Sequence, residues 1–134
     1  MGSFADHLEN KLLDHVFGGG DYARPATLYI GLSTTTIADG GTNITEPSGN
    51  GYARVAVTNN ATNWPAASAG VKSNGTPITF PAATGSWGTI TDFFISDADT
   101  GGNILAFGAL AAAQAVASGE TINFAVGALT ITLD

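Results

Sequence analysis

Apolar and polar side chains alternate along much of the chain, most clearly between residues 88 and 96 and between residues 120 and 133. A period of two places one face of each strand in a core and leaves the other face free. The pattern predicts about seven or eight strands, the clearest over residues 27–33, 52–58, 77–80, 88–96, 103–109, 120–126 and 128–133. Short strands with glycine-rich turns favour a mainly β fold, an antiparallel β-sandwich or jelly-roll-like domain.

The first twenty residues follow a helical period instead. Apolar side chains recur there at spacings of three and four, at Phe4, Ala5, Leu8, Leu12, Leu13, Val16 and Phe17. This spacing predicts one amphipathic helix over about residues 4–17, with Ser3 capping the first turn and Asp6 completing a variant of the capping box. The glycines at 18–20 end the helix and predict a hinge. The helix either docks independently on another protein or packs on its own sheet.

Length and composition predict one domain over residues 1–134, with the helix at about 4–17, the hinge at 18–20 and a β unit over about 27–133. Only 11% of the residues are charged, whereas 44% are hydrophobic. Small uncharged groups must therefore cover the surface, and such groups are easily desolvated in protein contacts. We expect a homo-oligomer, with a homotrimer as the favoured state, or docking on a larger assembly.

The net charge of −7 excludes several classes of partner. The four cations, Lys11, Arg24, Arg54 and Lys72, are too few and too scattered to neutralise nucleic-acid phosphates. We therefore expect no binding to nucleic acid or to a membrane. Cysteine is absent, which rules out disulfides and thiolate metal sites. The sequence has no apolar run of about 18 residues, and we expect synthesis in a cytoplasm.

Two long polar segments, 34–50 and 59–75, interrupt the strand pattern. Loops of this length are usually functional or disordered. Together with the helix, they are the segments where we expect subunit or partner contacts. The candidate interface residues are Phe4, Leu8, Leu12, Val16, Phe17 and Trp64.

Candidate chemistry is sparse. Asp97 and Asp99 precede two glycines, loosely like half of a calcium loop, but a hairpin turn explains the same residues better. His7 and His15 lie about 12 Å apart along the predicted helix, too far to share a metal. We expect no catalytic residue and no cofactor. Convergence of carboxylates for glycoside cleavage stays open as a minor alternative, with Asp39, Glu46, Asp92 and Asp97 as its members.

Three aromatic residues allow two interpretations. Tyr52, Trp64 and Trp87 could line a sugar-binding face, but aromatic side chains in a β domain more often anchor the core. Core packing is therefore the favoured interpretation. A carbohydrate-binding adsorption module remains the alternative that depends on Trp64 and Trp87.

Five segments in a fixed order carry a family resemblance: FADHLENKLLDHVFGG, PATLYIGL, GYARVAVT, ITFPAATGSWGTITDFFISDADTGGNILAFGAL and GALTITLD. Together they cover nearly the whole chain. They resemble a widespread family of small tailed-bacteriophage virion proteins, often labelled tail-fibre-like or head-decoration-like. The resemblance implies a non-enzymatic structural protein of the virion and brings no catalytic or binding residues with it.

The position on the particle is left open between two hypotheses. A compact β domain with a separate helix and two long loops favours a decoration protein on the outer surface of the head, which would contact the major capsid protein. The sequence lacks the long repeats of a fibre shaft. The alternative is a tail-associated, tail-fibre-like protein that contacts other virion proteins.

Overall fold

The computed structural model describes residues 2–133. One helix and nine strands follow one another along the chain: β1 (Gly2–Phe4), α1 (Asp6–Val16), β2 (Thr27–Ser33), β3 (Val55–Thr58), β4 (Val71–Ser73), β5 (Ile78–Thr79), β6 (Gly88–Ser96), β7 (Ile104–Val116), β8 (Asn123–Phe124) and β9 (Thr130–Thr132). The prediction of a mainly β fold with a single helix is confirmed. None of the helices in this described part is long and apolar enough to cross a membrane.

Seven strands form one curled sheet in the order β3-β2-β6-β7-β1-β9-β4, and β5 pairs with β8 in a second, small sheet. All neighbours are antiparallel except β1 and β9. The side chains of the two sheets meet in a common core, where Phe93 of β6 contacts Phe124 of β8 edge to face at 5.8 Å. This is sandwich-like packing, with a segment of loops and short strands covering one face of the large sheet.

The segment that precedes the helix is a strand, not part of the helix. Gly2, Ser3 and Phe4 pair with Gly108, Phe107 and Ala106 of β7, and the N–H of Ala5 donates to Leu105 O at 2.8 Å. The helix therefore begins two residues later than predicted, and Ser3 does not cap it. The apolar pair at residues 4–5 is compatible with both a helical and a strand period, and hydrogen bonding to β7 makes this segment a strand.

At its other end the helix stops at the three predicted glycines. The N–H groups of Gly19 and Gly20 both donate to Asp14 O, at 3.2 and 3.0 Å. Gly18 and Gly19 have φ values of 138° and 125°, a backbone conformation that residues with a Cβ rarely adopt. Strand β1 fixes the start of the helix in the sheet. The glycine turn at its end leads on to β2, so both ends of the helix are connected to the β unit.

Strand β6 is buried on both faces, contrary to the simple alternation expected for it. A register shift between Ile90 and Asp92 rotates the strand, so that Ile90 and Phe93 both reach the core. On the opposite face Phe94 is fully buried, because the guanidinium of Arg54 lies 4.9 Å from the centre of its ring. The second face of the strand is therefore covered by the chain itself.

The two long segments are more ordered than their composition predicts. Residues 59–75 contain β4, which pairs with β9 and forms an edge of the large sheet. In residues 34–50, Thr34 N–H donates to Thr45 O at 2.9 Å, and the N–H of Thr45 donates to Ser33 Oγ at 3.1 Å. Small polar side chains supply these local hydrogen bonds in place of a regular ladder.

Substitution of Gly31 tests how closely the second face of β6 is packed. A Cβ at this position would lie 2.6 Å from Cε1 of Phe94 and closer still to Cζ. We expect Gly31→Ala to lower the free energy of unfolding by about 1–3 kcal/mol, because the ring has no room to retreat. Denaturant unfolding of Gly31→Ala in the wild-type and Phe94→Leu backgrounds checks the cause, since the leucine removes the ring. An equal loss in both backgrounds would show that the ring is not responsible.

Candidate functional site

Exposed apolar side chains gather on one side of helix α1. Among the described residues, five large hydrophobic side chains are at least half exposed: Leu13 (56%), Val16 (58%), Phe17 (73%), Val126 (61%) and Leu133 (50%). All except Val126 line one groove of about 330 Å³, together with Phe4, Glu9 and Leu12. We call the apolar residues of this groove, Phe4, Leu12, Leu13, Val16, Phe17 and Leu133, the assembly surface.

The local structure explains why these side chains stay exposed. The helix has a polar face and an apolar face, yet none of its residues is fully buried. Strand β1 holds the beginning of the helix against the sheet, and the turn at residues 18–20 ends it before its last apolar residues reach the core. The apolar face therefore covers the sheet near Leu8 and projects beyond it at Val16 and Phe17. Clustered exposed apolar side chains typically mark an interaction site.

A cavity of about 180 Å³ adjoins the assembly surface at one end of the core. Its wall is mostly apolar, and Phe4 lines both the cavity and the neighbouring groove. Its polar lining residues are Tyr22, Arg24, Asn59 and Lys72. Burial, with a smaller effect from the charge of Asp97, raises the pKa of Tyr22, so its hydroxyl remains a neutral donor at physiological pH.

The structure gathers most of the predicted interface residues in this region. Val16 and Phe17 are exposed, while Phe4, Leu8 and Leu12 are half-buried beside them. Trp64 differs, because only 5% of it is exposed and it packs in the core. It still forms part of the wall of the cavity. Leu133, Arg24 and Lys72 were not predicted, since the alternation places Leu133 in a strand and isolated cations carry no spacing signal.

The candidate aromatic residues for sugar binding are packed inside the domain. Trp87 is 4% exposed, and its indole N–H donates to Asn50 O at 2.9 Å. Tyr52 meets the ring of Trp87 edge to face at 5.3 Å. With Trp64 also buried, none of the three offers an exposed stacking face. Core packing, the interpretation favoured from the sequence, describes these residues.

Asp97 acts in a hairpin turn. Its two carboxylate oxygens accept hydrogen bonds from the backbone N–H and the side-chain amide of Asn103, at 2.8 and 2.9 Å. Burial alone would raise its pKa, but these hydrogen bonds hold the pKa below its usual value. Asp99 is exposed at the same turn. Within residues 2–133, no three His, Asp or Glu side chains converge in a way that would hold a metal.

The two predicted helix histidines lie apart. Nδ1 of His15 accepts a hydrogen bond from the backbone N–H of Tyr22 at 3.2 Å and lies 3.9 Å from Asp21. His15 therefore helps to fix the turn after the helix. His7 lies two turns earlier and is half-buried.

A half-buried ion pair fixes the long loop 34–54 to the β6–β7 turn. Arg54 donates from Nε and Nη2 to the two carboxylate oxygens of Glu46 at 2.9 and 2.8 Å. Its Nη1 donates to the carbonyl oxygens of Ala98 and Gly101 at 2.7 and 2.9 Å. The hydroxyl of Tyr52 donates to the same carboxylate at 2.7 Å.

The four carboxylates of the glycosidase alternative do not form a common site. Glu46 is paired with Arg54, and Asp97 caps a turn. Asp92 is buried, and Asp39 is exposed.

The electrostatics of Glu46 follow from this network. Burial alone would raise its pKa, but the hydrogen bonds from Arg54 and Tyr52 and the charge of Arg54 lower the pKa below 4.5. For Tyr52, burial and the hydrogen bond to Glu46 raise the pKa, so the hydroxyl stays protonated and keeps donating. The network is satisfied without a ligand, which indicates a structural role.

The chain matches a known protein family. Residues 3–132 match the family model described as Podophage GP4 fiber I protein gp80. Because the match covers nearly the whole chain, the protein belongs to this family of phage virion proteins of the tail-fibre type. No curated protein matches the chain. The predicted resemblance to tailed-phage virion proteins is thereby confirmed.

The ion pair predicts a pH dependence of stability. A carboxylate with a lowered folded-state pKa stabilises the fold above its unfolded pKa, and this contribution disappears as the pH falls through the folded pKa. We expect Glu46→Gln to lower the free energy of unfolding at pH 7 by about 1–3 kcal/mol, because Arg54 loses its charged partner. We also expect a weaker loss of stability below pH 4.5 than in the wild type.

Denaturant unfolding between pH 2.5 and 7 measures both effects. Asp39→Asn is the matched control, since it neutralises an exposed carboxylate outside the network. A Glu46→Gln profile parallel to the wild type across the acid range would contradict the assignment.

Proposed function

We propose that the protein is a structural component of a podophage tail fibre and that it acts by assembly rather than by catalysis. The family match over residues 3–132 carries the proposal. The exposed apolar residues beside helix α1 support it, because a protein that assembles needs a contact surface of this kind. The carboxylates that could have served catalysis are paired, capping, buried or isolated in the fold.

The tail is the position that we propose on the particle. The sequence favoured decoration of the head, and that preference is not confirmed, since the family description names a fibre. The tail-fibre alternative fits the family at least as well. The carbohydrate-binding alternative loses its proposed contact residues, because Trp64 and Trp87 are buried.

Within a fibre, the protein fits a compact module better than a length of shaft. Its sheets close around a single core, and its strands show no repeat along the chain. A shaft built from this fold would need many copies stacked end to end. A module at the base or the tip of the fibre needs only one contact surface, and the assembly surface provides one.

Immunogold electron microscopy of the virions tests the position. We expect antibodies raised against the purified protein to label tails, and quantitative mass spectrometry to find few copies relative to the major capsid protein. Antibodies against the capsid protein serve as the labelling control. Gold on the heads, with copy numbers comparable to those of the capsid protein, would instead establish decoration.

We further propose that the protein forms a homotrimer through the assembly surface. Light scattering should give a mass of about three times the 13.5 kDa of one chain. We expect Val16→Asp to shift the protein toward the monomer, because it places a charge in an apolar contact. Asn10→Asp adds the same charge to an exposed polar position of the helix and should leave the mass unchanged. A wild-type monomer at 100 μM or so would contradict the proposal.

A further inference from the structure

The cavity beside the assembly surface has the size of an aromatic ring. Its volume is about 180 Å³, and apolar cavities of about 150 Å³ hold a benzene molecule. Its wall is formed largely by Leu8, Leu28, Ile95, Ala106 and Ile131, which come from the helix and from four strands of the large sheet. The fold therefore leaves a largely apolar pocket, partly open to solvent, between the helix and the large sheet.

The polar part of the wall is positively charged. Arg24 and Lys72 line the cavity, and they are two of only four cations in a chain of net charge −7. No Asp or Glu lines it, and neither cation forms an ion pair with another residue of the described range 2–133. This combination favours an apolar group with carboxylates beside it over a neutral or cationic one.

Trp64 adds an unsatisfied donor to the same wall. Its indole N–H is buried and has no hydrogen-bond partner, whereas the large majority of buried polar side-chain atoms are paired. The polar groups around the cavity are therefore incompletely satisfied within one copy of the chain. Trp64 also supplies a spectroscopic signal at this position.

The exposed end of helix α1 carries the complementary chemistry. Phe17 is the most exposed large hydrophobic side chain of the described residues, at 73%. Asp14 lies one helical turn before it, and Asp21 follows it with a fully exposed carboxylate. Hydrogen bonds from the N–H groups of Phe17, Gly19 and Gly20 fix the backbone of this turn. The aromatic ring is thus presented on an ordered support, flanked by two acidic groups.

We propose that Phe17 of one copy inserts into the cavity of a second copy, with Asp14 and Asp21 placed against Arg24 and Lys72. The inference deepens the proposed homo-oligomer and rests on it. Phe17 does not reach its own cavity, because it lies nine residues, or about 13 Å, beyond Leu8 in the helix direction. A head-to-tail arrangement, in which each copy gives its ring to one neighbour and receives a ring from the other, fits the proposed trimer, whereas reciprocal insertion would give a dimer. Head-to-tail contacts close into rings when the rotation allows, and a trimer is one of these rings.

Concentration-dependent NMR of the full chain tests the insertion directly. We expect the indole N–H signal of Trp64 to shift as the protein associates, while that of Trp87 stays fixed, since it already donates to Asn50 O. Phe17→Ala should abolish the Trp64 shift and weaken association at least tenfold by sedimentation. Val126→Ala is the matched control, because Val126 is similarly exposed but lies outside the assembly surface. It should behave like the wild type.

Charge variants test the same contact without touching the ring. Asp14→Lys/Asp21→Lys and Arg24→Glu/Lys72→Glu should each weaken self-association, and an equimolar mixture of the two variants should associate again. These four positions are exposed or half-buried, and circular dichroism verifies that the variants are folded.

Three results would overturn the inference: wild-type association of Phe17→Ala, an unchanged Trp64 signal in an associating protein, and failure of the mixture to associate. A trimer that persists in the first case would leave the fibre proposal intact and move the contact elsewhere on the assembly surface. Labelling of the virion tests the fibre proposal separately.

Discussion

The strand Gly2–Phe4 occupies the gap between β7 and β9, and the arrangement of the rest of the assembly surface depends on it. Without this strand the large sheet would divide into β3-β2-β6-β7 and β9-β4, with unpaired backbone groups along both new edges. The fit is close: a Cβ on Gly2 would lie 2.8 Å from Phe107 O and 3.0 Å from Thr130 O. Pairing also fixes where the helix begins. The side chain of Phe4 then lies at the point where the groove and the cavity meet.

A second constraint is the small number of charges. Of the four cations, Arg54 is used to tie the loop 34–54 to the β6–β7 turn, and Arg24 and Lys72 lie together at the cavity. The remaining surface relies on small polar and apolar groups, which cost little to desolvate. Because charged residues are few, backbone pairing and aromatic packing stabilise the fold rather than surface ion pairs, which contribute little in water.

Several elements follow directly from the sequence. The boundaries of β2 and β6 agree with the strands predicted over 27–33 and 88–96. The helix agrees to within two residues. The Phe4–Ala5 boundary was wrong because an apolar pair fits either period, and only the distant strand β7 decides between them. Strand β4 lies within the long segment at 59–75, where three residues carry too little pattern to be recognised.

The candidate site, too, is only partly predictable from the sequence. The helical spacing of Leu8, Leu12, Val16 and Phe17 predicts an apolar face, and the exposure of Val16 and Phe17 follows from where the helix ends. Arg24, Lys72 and Leu133 join this region only through the fold, since 48 residues separate the two cations in the chain. The network of Glu46, Tyr52 and Arg54 depends equally on contacts with residues 98 and 101 of the following hairpin.

Hydrogen exchange of the Phe4 and Ala5 backbone amides tests most directly whether this first strand belongs to the sheet. The N–H of Ala5 donates to Leu105 O at 2.8 Å inside the folded domain. We expect Ala5 to exchange as slowly as the paired amides of β6 and β7, which open only in global unfolding. Exchange at the rate of a free peptide, with β6 and β7 still protected, would show that residues 2–5 and the helix detach from the sheet, and it would contradict the account.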